Sequence, residues 1–246
     1  MLSMNLALQR SRQILFVLIF LVSVVWLWAE MAQHILRQRA EHLLVDLRAI
    51  HAGQSTWEGI QPFLRTWSQW TTAKSACTPD ACTIQIDLVQ ALPAPLVGSP
   101  APGAHNWLPR LAGYAGLRNS AVRAGLTVER GIVTTRWFGE QVTLPVRDWN
   151  PADNFIPYLS VSSSETTHFH QIAGDERLPH PNRMVQHKAS YLALTNAPEE
   201  DPGEKAALMD FHLACITRLR PCESPAQILP EAQRLFDEQK LAGLTG

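Results

Sequence analysis

Residues 14 to 31 read ILFVLIFLVSVVWLWAEM, and no charge interrupts them before Glu30. At a helical rise of about 1.5 Å per residue the run is about 27 Å long, close to the hydrocarbon thickness of a bilayer. A core helix of a soluble protein rarely goes so far without a polar residue, so this stretch constrains the fold more than any other. Trp26 and Trp28 stand where an interfacial aromatic belt forms. Arg10 and Arg12 precede the run, as in a secretory leader. Cutting after Ala29, however, would put Leu27 and Trp28 beside the bond, and cutting after Ala32 would put Glu30 three residues before it. Neither offers the small residues that signal cleavage needs. The reading is an uncleaved anchor, with 1–13 a short cytoplasmic tail and 14–31 a transmembrane helix.

Charge does not orient this helix, because arginines flank both ends and acids count for little in the positive-inside rule. The four cysteines do. SACTPDAC brings Cys77 and Cys82 together around a Pro-Asp turn, and ACITRLRPC brings Cys215 and Cys222 together around a proline. Two close pairs behind a membrane-targeting N-terminus fit structural disulfides in an oxidising compartment. Local pairing is expected, because each pair closes a short turn. A four-cysteine zinc site needs tighter spacing than Cys215 and Cys222 provide. The domain is therefore expected on the periplasmic or extracellular side.

After the apolar run, Leu36, Ala40, Leu43, Leu47 and Ile50 recur at helical spacing, so 32–52 reads as an amphipathic continuation, a stalk stopping before Gly53. Its stripe either packs on the protein's own domain or pairs two copies as a short coiled coil. Ser55 with Glu58 reads as a capping box for a helix whose buried face is Trp57, Ile60, Phe63, Leu64 and Trp67. CTIQIDL alternates as a half-buried strand. AVRAGLTVERGIVTTRWF reads as a hairpin with Val122, Ala124, Leu126 and Val128 inward, then Val133, Thr135 and Trp137. EQVTLPV extends that sheet, and FIPYLSVSSS and ASYLALT add strands. Residues 91–105, rich in proline, form an exposed insertion. Asp201-Pro202-Glu204 and Ser224-Pro225-Gln227 are helix starts. Helix, strands, then helices define an α+β domain over 53–246 with an antiparallel sheet.

Chemistry is sparse. TTHFHQIAGDERLPHPNRMVQHK places His168 and His170 two apart, so on a strand both imidazoles would face one way and share a metal, with His180, His187, Asp175 or Glu176 completing the shell. That is the basis of an alternative reading, a membrane-tethered metal-dependent hydrolase. The prolines and Gly174 around them mark a loop. Asp148, Asp153, Glu165 and Asp210 are scattered carboxylates that sequence does not pair. No G-x-S-x-G elbow, H-E-x-x-H, phosphate loop or dinucleotide fingerprint occurs, so no catalytic or cofactor-binding residue is assigned and no cofactor is expected. A net charge of −1 without a run of Lys or Arg excludes a nucleic-acid partner.

The layout is also that of type IV pilin-like subunits, but no Gly or Glu precedes Glu30, so their processing site is missing. STWEGIQPFLRTWSQW with CTPDACTIQIDL, and LMDFHLACITRLRPCESPAQILP, resemble a group of uncharacterised single-pass bacterial envelope proteins with a cysteine-paired ectodomain. The resemblance implies the topology and no activity. The leading expectation is a non-enzymatic binding or structural protein, held in the membrane by 14–31, with an envelope protein or a second copy as partner.

Overall fold

The computed structural model describes residues 2–73, 77–89, 116, 119–143, 158–169, 176–177, 183–188, 191–218 and 222–241. The insertion expected at 91–105 lies outside them, as do Asp148, Asp153, His170, Asp175 and His180.

One helix, α1, runs unbroken from Leu2 to Arg48. It contains neither Gly nor Pro, the usual causes of a kink, so the apolar run and its amphipathic continuation form one rod. Leu36, Ala40, Leu43 and Leu47 are all buried, in the same core as the sheet. The continuation is thus a core element rather than a stalk, and its stripe is covered by the chain's own domain, leaving no coiled-coil seam there. Two flanks hold it. On one side Trp67 donates its indole N–H to Asp46 at 2.9 Å and Arg39 lies over the Trp70 ring at 5.3 Å. On the other, Arg48 donates to the Met209 carbonyl and Arg37 to Thr217.

The expected capping box at Ser55 is absent. Helix α2 starts later, at Gln61–Trp67, with Pro62 in its first turn, where a missing N–H costs nothing. The Ser55 hydroxyl instead accepts from the His51 N–H. Ile60, Phe63 and Trp67 are buried as expected, with Trp57 and Leu64 packed against the same core.

Among the described residues eight strands make one sheet: β1 (Thr71–Ala73), β2 (Ala81–Val89), β3 (Ser120–Glu129), β4 (Ile132–Thr143), β5 (Tyr158–Thr166), β6 (Glu176–Arg177), β7 (Arg183–Lys188) and β8 (Tyr191–Asn196). Their spatial order is β1-β2-β3-β4-β5-β8-β7-β6. The expected antiparallel sheet is in fact mixed, because β5 and β8 run parallel. The β7–β8 hairpin returns β8 into the slot between β7 and β5, which fixes its direction; strand alternation carries no such information. Part of the expected loop around the histidines is strand, since β6 and β7 fall within it.

Arg130 and Gly131, at φ 54° and 78°, turn β3 into β4, the left-handed pair that a two-residue hairpin requires. Two residues later the register slips. Val128 faces Val133 while Thr127 faces Thr135, so Thr134 is an extra residue, a β-bulge. From there on, the inward positions of β4 become Arg136, Phe138, Glu140 and Val142, whereas alternation from Val133 expects Thr135 and Trp137.

The C-terminal segment adds α3 (Pro202–Leu208), a 3-10 turn at Leu213–Ile216 and α4 (Pro230–Leu241). The Asp201 carboxylate caps α3, accepting from the Gly203 and Glu204 N–H groups. The Ser224 signal caps a 3-10 turn at Pro225–Gln227, where the Gln227 amide oxygen accepts from Glu223 and Ser224, rather than α4 itself. Phe211 meets Phe138 edge-on at 4.8 Å between centroids, closing the layer over the sheet.

Candidate functional site

The first surface with functional meaning is the N-terminal half of α1. Phe16, Phe20 and Val22 are 71%, 66% and 68% exposed, and most large apolar side chains from Ile14 to Trp28 stand uncovered. Moving each such side chain from water to an apolar environment contributes roughly 1.5–3 kcal/mol, so this surface is poorly suited to water. It is the one helix among the described residues long and apolar enough to cross a membrane. Cover begins abruptly, with Ala29 and Gln33 both fully buried. The Gln33 amide donates to the Gly116 carbonyl at 3.0 Å. The domain therefore grips α1 within a turn of the apolar run, with no free spacer between them.

The bulge in β4 builds the second feature. Arg136 and Glu165, on paired positions of β4 and β5, are both buried and meet at 2.6 Å. Arg136 also donates to the carbonyls of Leu47 and Arg48, two of the groups left open where α1 ends. The other Glu165 oxygen accepts from Lys205 on α3 at 3.2 Å. Further along the sheet, fully buried Arg183 pairs with Glu200 and Glu204. Each buried cation thus has an acidic partner, the arrangement that offsets the large cost of desolvating charge. The network joins α1, the sheet and α3. Its ion pairs brace these elements against one another.

A cleft of about 650 Å³ opens above it, lined in part by Arg48, His51, Arg136, Lys205, Asp210 and Arg234. Asp210, one of the scattered carboxylates, pairs with Arg48 at 2.8 Å, and Arg234 lies between Glu231 and Glu238. The lining itself carries Arg48, Arg136, Lys205 and Arg234 against Asp210 and Glu231, an excess of positive charge, with Glu165 and Glu238 pairing with these cations from outside the lining.

Glu140 differs. Its side chain is buried beneath α1, and neither carboxylate oxygen has a hydrogen-bond partner among the described residues. Burial pushes its pKa up to about 8, against the weaker opposing pull of the Arg37 charge. At neutral pH this carboxyl is held as the uncharged acid. Sequence reading missed Arg136, Arg183, Lys205 and Glu140, because a strand with one charged residue facing the core looks like an amphipathic strand of the opposite face.

His168, proposed as a metal ligand, sits in the turn just past β5 rather than on a strand. Its Nε2 lies 3.1 Å from Glu129, both groups being largely exposed. His187 and Glu176 fall on β7 and β6. No group of three or more candidate metal ligands occurs among the described residues. The cysteines behave as expected: Cys77 is bonded to Cys82 and Cys215 to Cys222, with no free thiol. The second bridge is buried beneath the contact between α1 and the 3-10 turn.

These features define a class: an α+β domain braced by two disulfides on a helix able to span a membrane. In comparison with known proteins the chain matches no family model, no curated protein and no solved structure.

Proposed function

We propose that this chain is a single-pass envelope protein whose domain lies on the periplasmic or extracellular side and binds a partner there without catalysing a reaction. The observation that carries this reading is the division of α1: one end is an uncovered apolar surface, and the other is the centre of a folded core, with no flexible residue between. Disulfides in that core favour an oxidising side of the membrane. Because the helix is continuous, the domain is held at a fixed height and orientation on the bilayer, which suits a surface that must meet another envelope component. The buried Arg136, Glu165 and Arg183 are held in ion pairs that join α1, the sheet and α3, which supports a structural role for them.

The test is intact mass of the full-length chain from membranes, with and without alkylation under denaturing non-reducing conditions, together with protease access in sealed vesicles. The expected result is an uncleaved N-terminus, no alkylatable thiol, and digestion of the domain only from the exoplasmic side. Free cysteines or a chain shortened near Ala29 would overturn it.

A further inference from the structure

The face of the sheet turned away from α1 carries a trough that the anchor and the core do not use. Its floor is Ser162 on β5 and Ala193 on β8, in one row of the register that continues through Gly139 on β4 to Arg123 on β3, which pairs with Asp87 at 3.3 Å. The row ends at Gln186 on β7. Gly139 is part of the design, since a Cβ there would lie 3.2 Å from that of Ser162. Larger groups rise on both sides. Trp137 stands two residues before Gly139 on β4, and Tyr191 two residues before Ala193 on β8. The two strands run in opposite directions, so the aromatic rings flank the floor diagonally. Strand geometry separates their backbones by about 10 Å across the sheet and about 13 Å along it. The enclosed space is about 330 Å³.

Trp137 is seated to act as a platform. A Cβ on Gly125 would come within 2.2 Å of the indole Nε1, so the ring lies close over the backbone of β3 at a place where only glycine leaves room for it. The lining is wholly uncharged: besides the aromatics it is Thr135, Ser162, Ser164, Thr195, Gln186, Met184 and Ala193. Among the described residues the side chains of Trp137, Ser162, Gln186 and Tyr191 make no hydrogen bond, which leaves their polar groups for a ligand.

From this arrangement we infer that the trough binds an uncharged saccharide chain, a ligand class that rests on the reading of the protein as an exoplasmic binding domain. A pyranose offers an apolar C–H face and an equator of hydroxyls. It stacks on an indole or phenol ring while hydroxyl and amide groups engage its edge, which is the mixture present here. A nucleic acid or acidic glycan would require unpaired cations, whereas the described side chains that line the trough are uncharged and Arg123, beyond Gly139, is paired with Asp87. An extended peptide adding a strand would require a free sheet edge, whereas this is a face whose backbone groups are spent in the ladders. Two rings that far apart suit several sugar units rather than one.

The experiment titrates full-length protein, in a detergent whose headgroup is not a sugar, with chitotetraose, cellotetraose and maltotetraose, reading tryptophan fluorescence and calorimetry. Heparin oligosaccharide serves as the charged comparison. One of the neutral tetrasaccharides is expected to bind saturably below about 10 mM, and Trp137→Ala to weaken it by about tenfold or more through loss of stacking. Because Trp137→Ala also uncovers Gly125, Ser162→Gln is measured beside it: it fills the floor, leaves the platform in place and abolishes binding. No saturable binding, or binding indifferent to both substitutions, refutes the inference. So does a dimer that Ser162→Gln converts to monomer without any saccharide effect, which would assign the trough to a second copy. None of these failures touches the thiol and protease results on which the anchored, exoplasmic reading depends.

Discussion

Replacing Glu140 by Gln should make the protein more stable, and more so as the pH rises. In the unfolded chain this carboxyl titrates at its ordinary value of 4.5, whereas in the folded protein burial pushes it up to about 8. Between those values the native state binds a proton that the unfolded state has lost. The sign follows: a folded pKa raised above the unfolded one makes an acid contribute stability at low pH and lose it as the pH climbs. The loss runs at about 1.4 kcal/mol per pH unit, giving a penalty of about 3 kcal/mol at pH 7 and about 5 kcal/mol above pH 8, where it levels off. Gln keeps the shape and removes the charge, so the difference between variant and parent should be small near pH 5 and grow to that plateau. For a domain of this size the gain corresponds to a melting temperature higher by on the order of 10 °C at pH 8. Paired denaturant or thermal unfolding of the full-length proteins in the same detergent, from pH 5 to 9, measures it. Every other group is common to both proteins and cancels in the difference. A difference that stays flat with pH would show that water or another group solvates the carboxylate in the folded state, and would refute the argument from burial.

Other parts of the structure make separate demands. Arg136→Met leaves Glu165 with only the partly exposed Lys205 and frees two carbonyls at the end of α1; unfolding should show a loss of about 3 kcal/mol, largely recovered in the double variant with Glu165→Leu. Cys215→Ser with Cys222→Ser removes a short closed loop and should lower stability by about 2 kcal/mol in unfolding without reductant, where Cys77–Cys82 stays closed in both proteins; an unchanged stability would show that the bridge contributes nothing. Gly125→Ala should cost about 2 kcal/mol or more, because its Cβ would meet both the Trp137 ring and the Ile84 carbonyl, the latter at 2.9 Å; an unchanged melting temperature would mean that the indole does not lie there. Elemental analysis of the purified chain addresses the hydrolase alternative directly: a stoichiometric transition metal lost in the His168→Ala, His170→Ala double variant would establish it, while His168→Ala by itself should change stability by no more than about 0.5 kcal/mol, as for any exposed pair.

How much of this was legible in the sequence depended on the length over which a pattern ran. The apolar run of α1 and the stripe from Leu36 to Ile50 each repeat over several turns, and alternation in β2 and β3 holds for a whole strand, so both elements and their buried faces could be read directly. The Cys pairs were readable because close spacing around a proline leaves little choice of partner. What sequence could not supply was any feature that depends on a single residue's register. Thr134 is the clearest case. One inserted residue reverses the parity of the rest of β4, since side chains alternate with a period of two. That slip turns Trp137 from an expected core residue into the wall of a trough on the far face, and turns Arg136 and Glu140 from expected surface charges into buried ones. Phe138 gains its place against Phe211 by the same step. No local signal marks the bulge, because Val-Thr-Thr suits either register equally well. It is settled by tertiary pairing: Arg136 inward finds Glu165 on the neighbouring strand and the open carbonyls at the end of α1, partners far apart in sequence. The direction of β8 was hidden for a similar reason, being fixed by the slot that β7 and β5 leave between them. The trough therefore lies where non-local pairing overrides local pattern, on the face of the sheet opposite the covered half of α1, whereas the apolar run of α1 is set by local pattern alone.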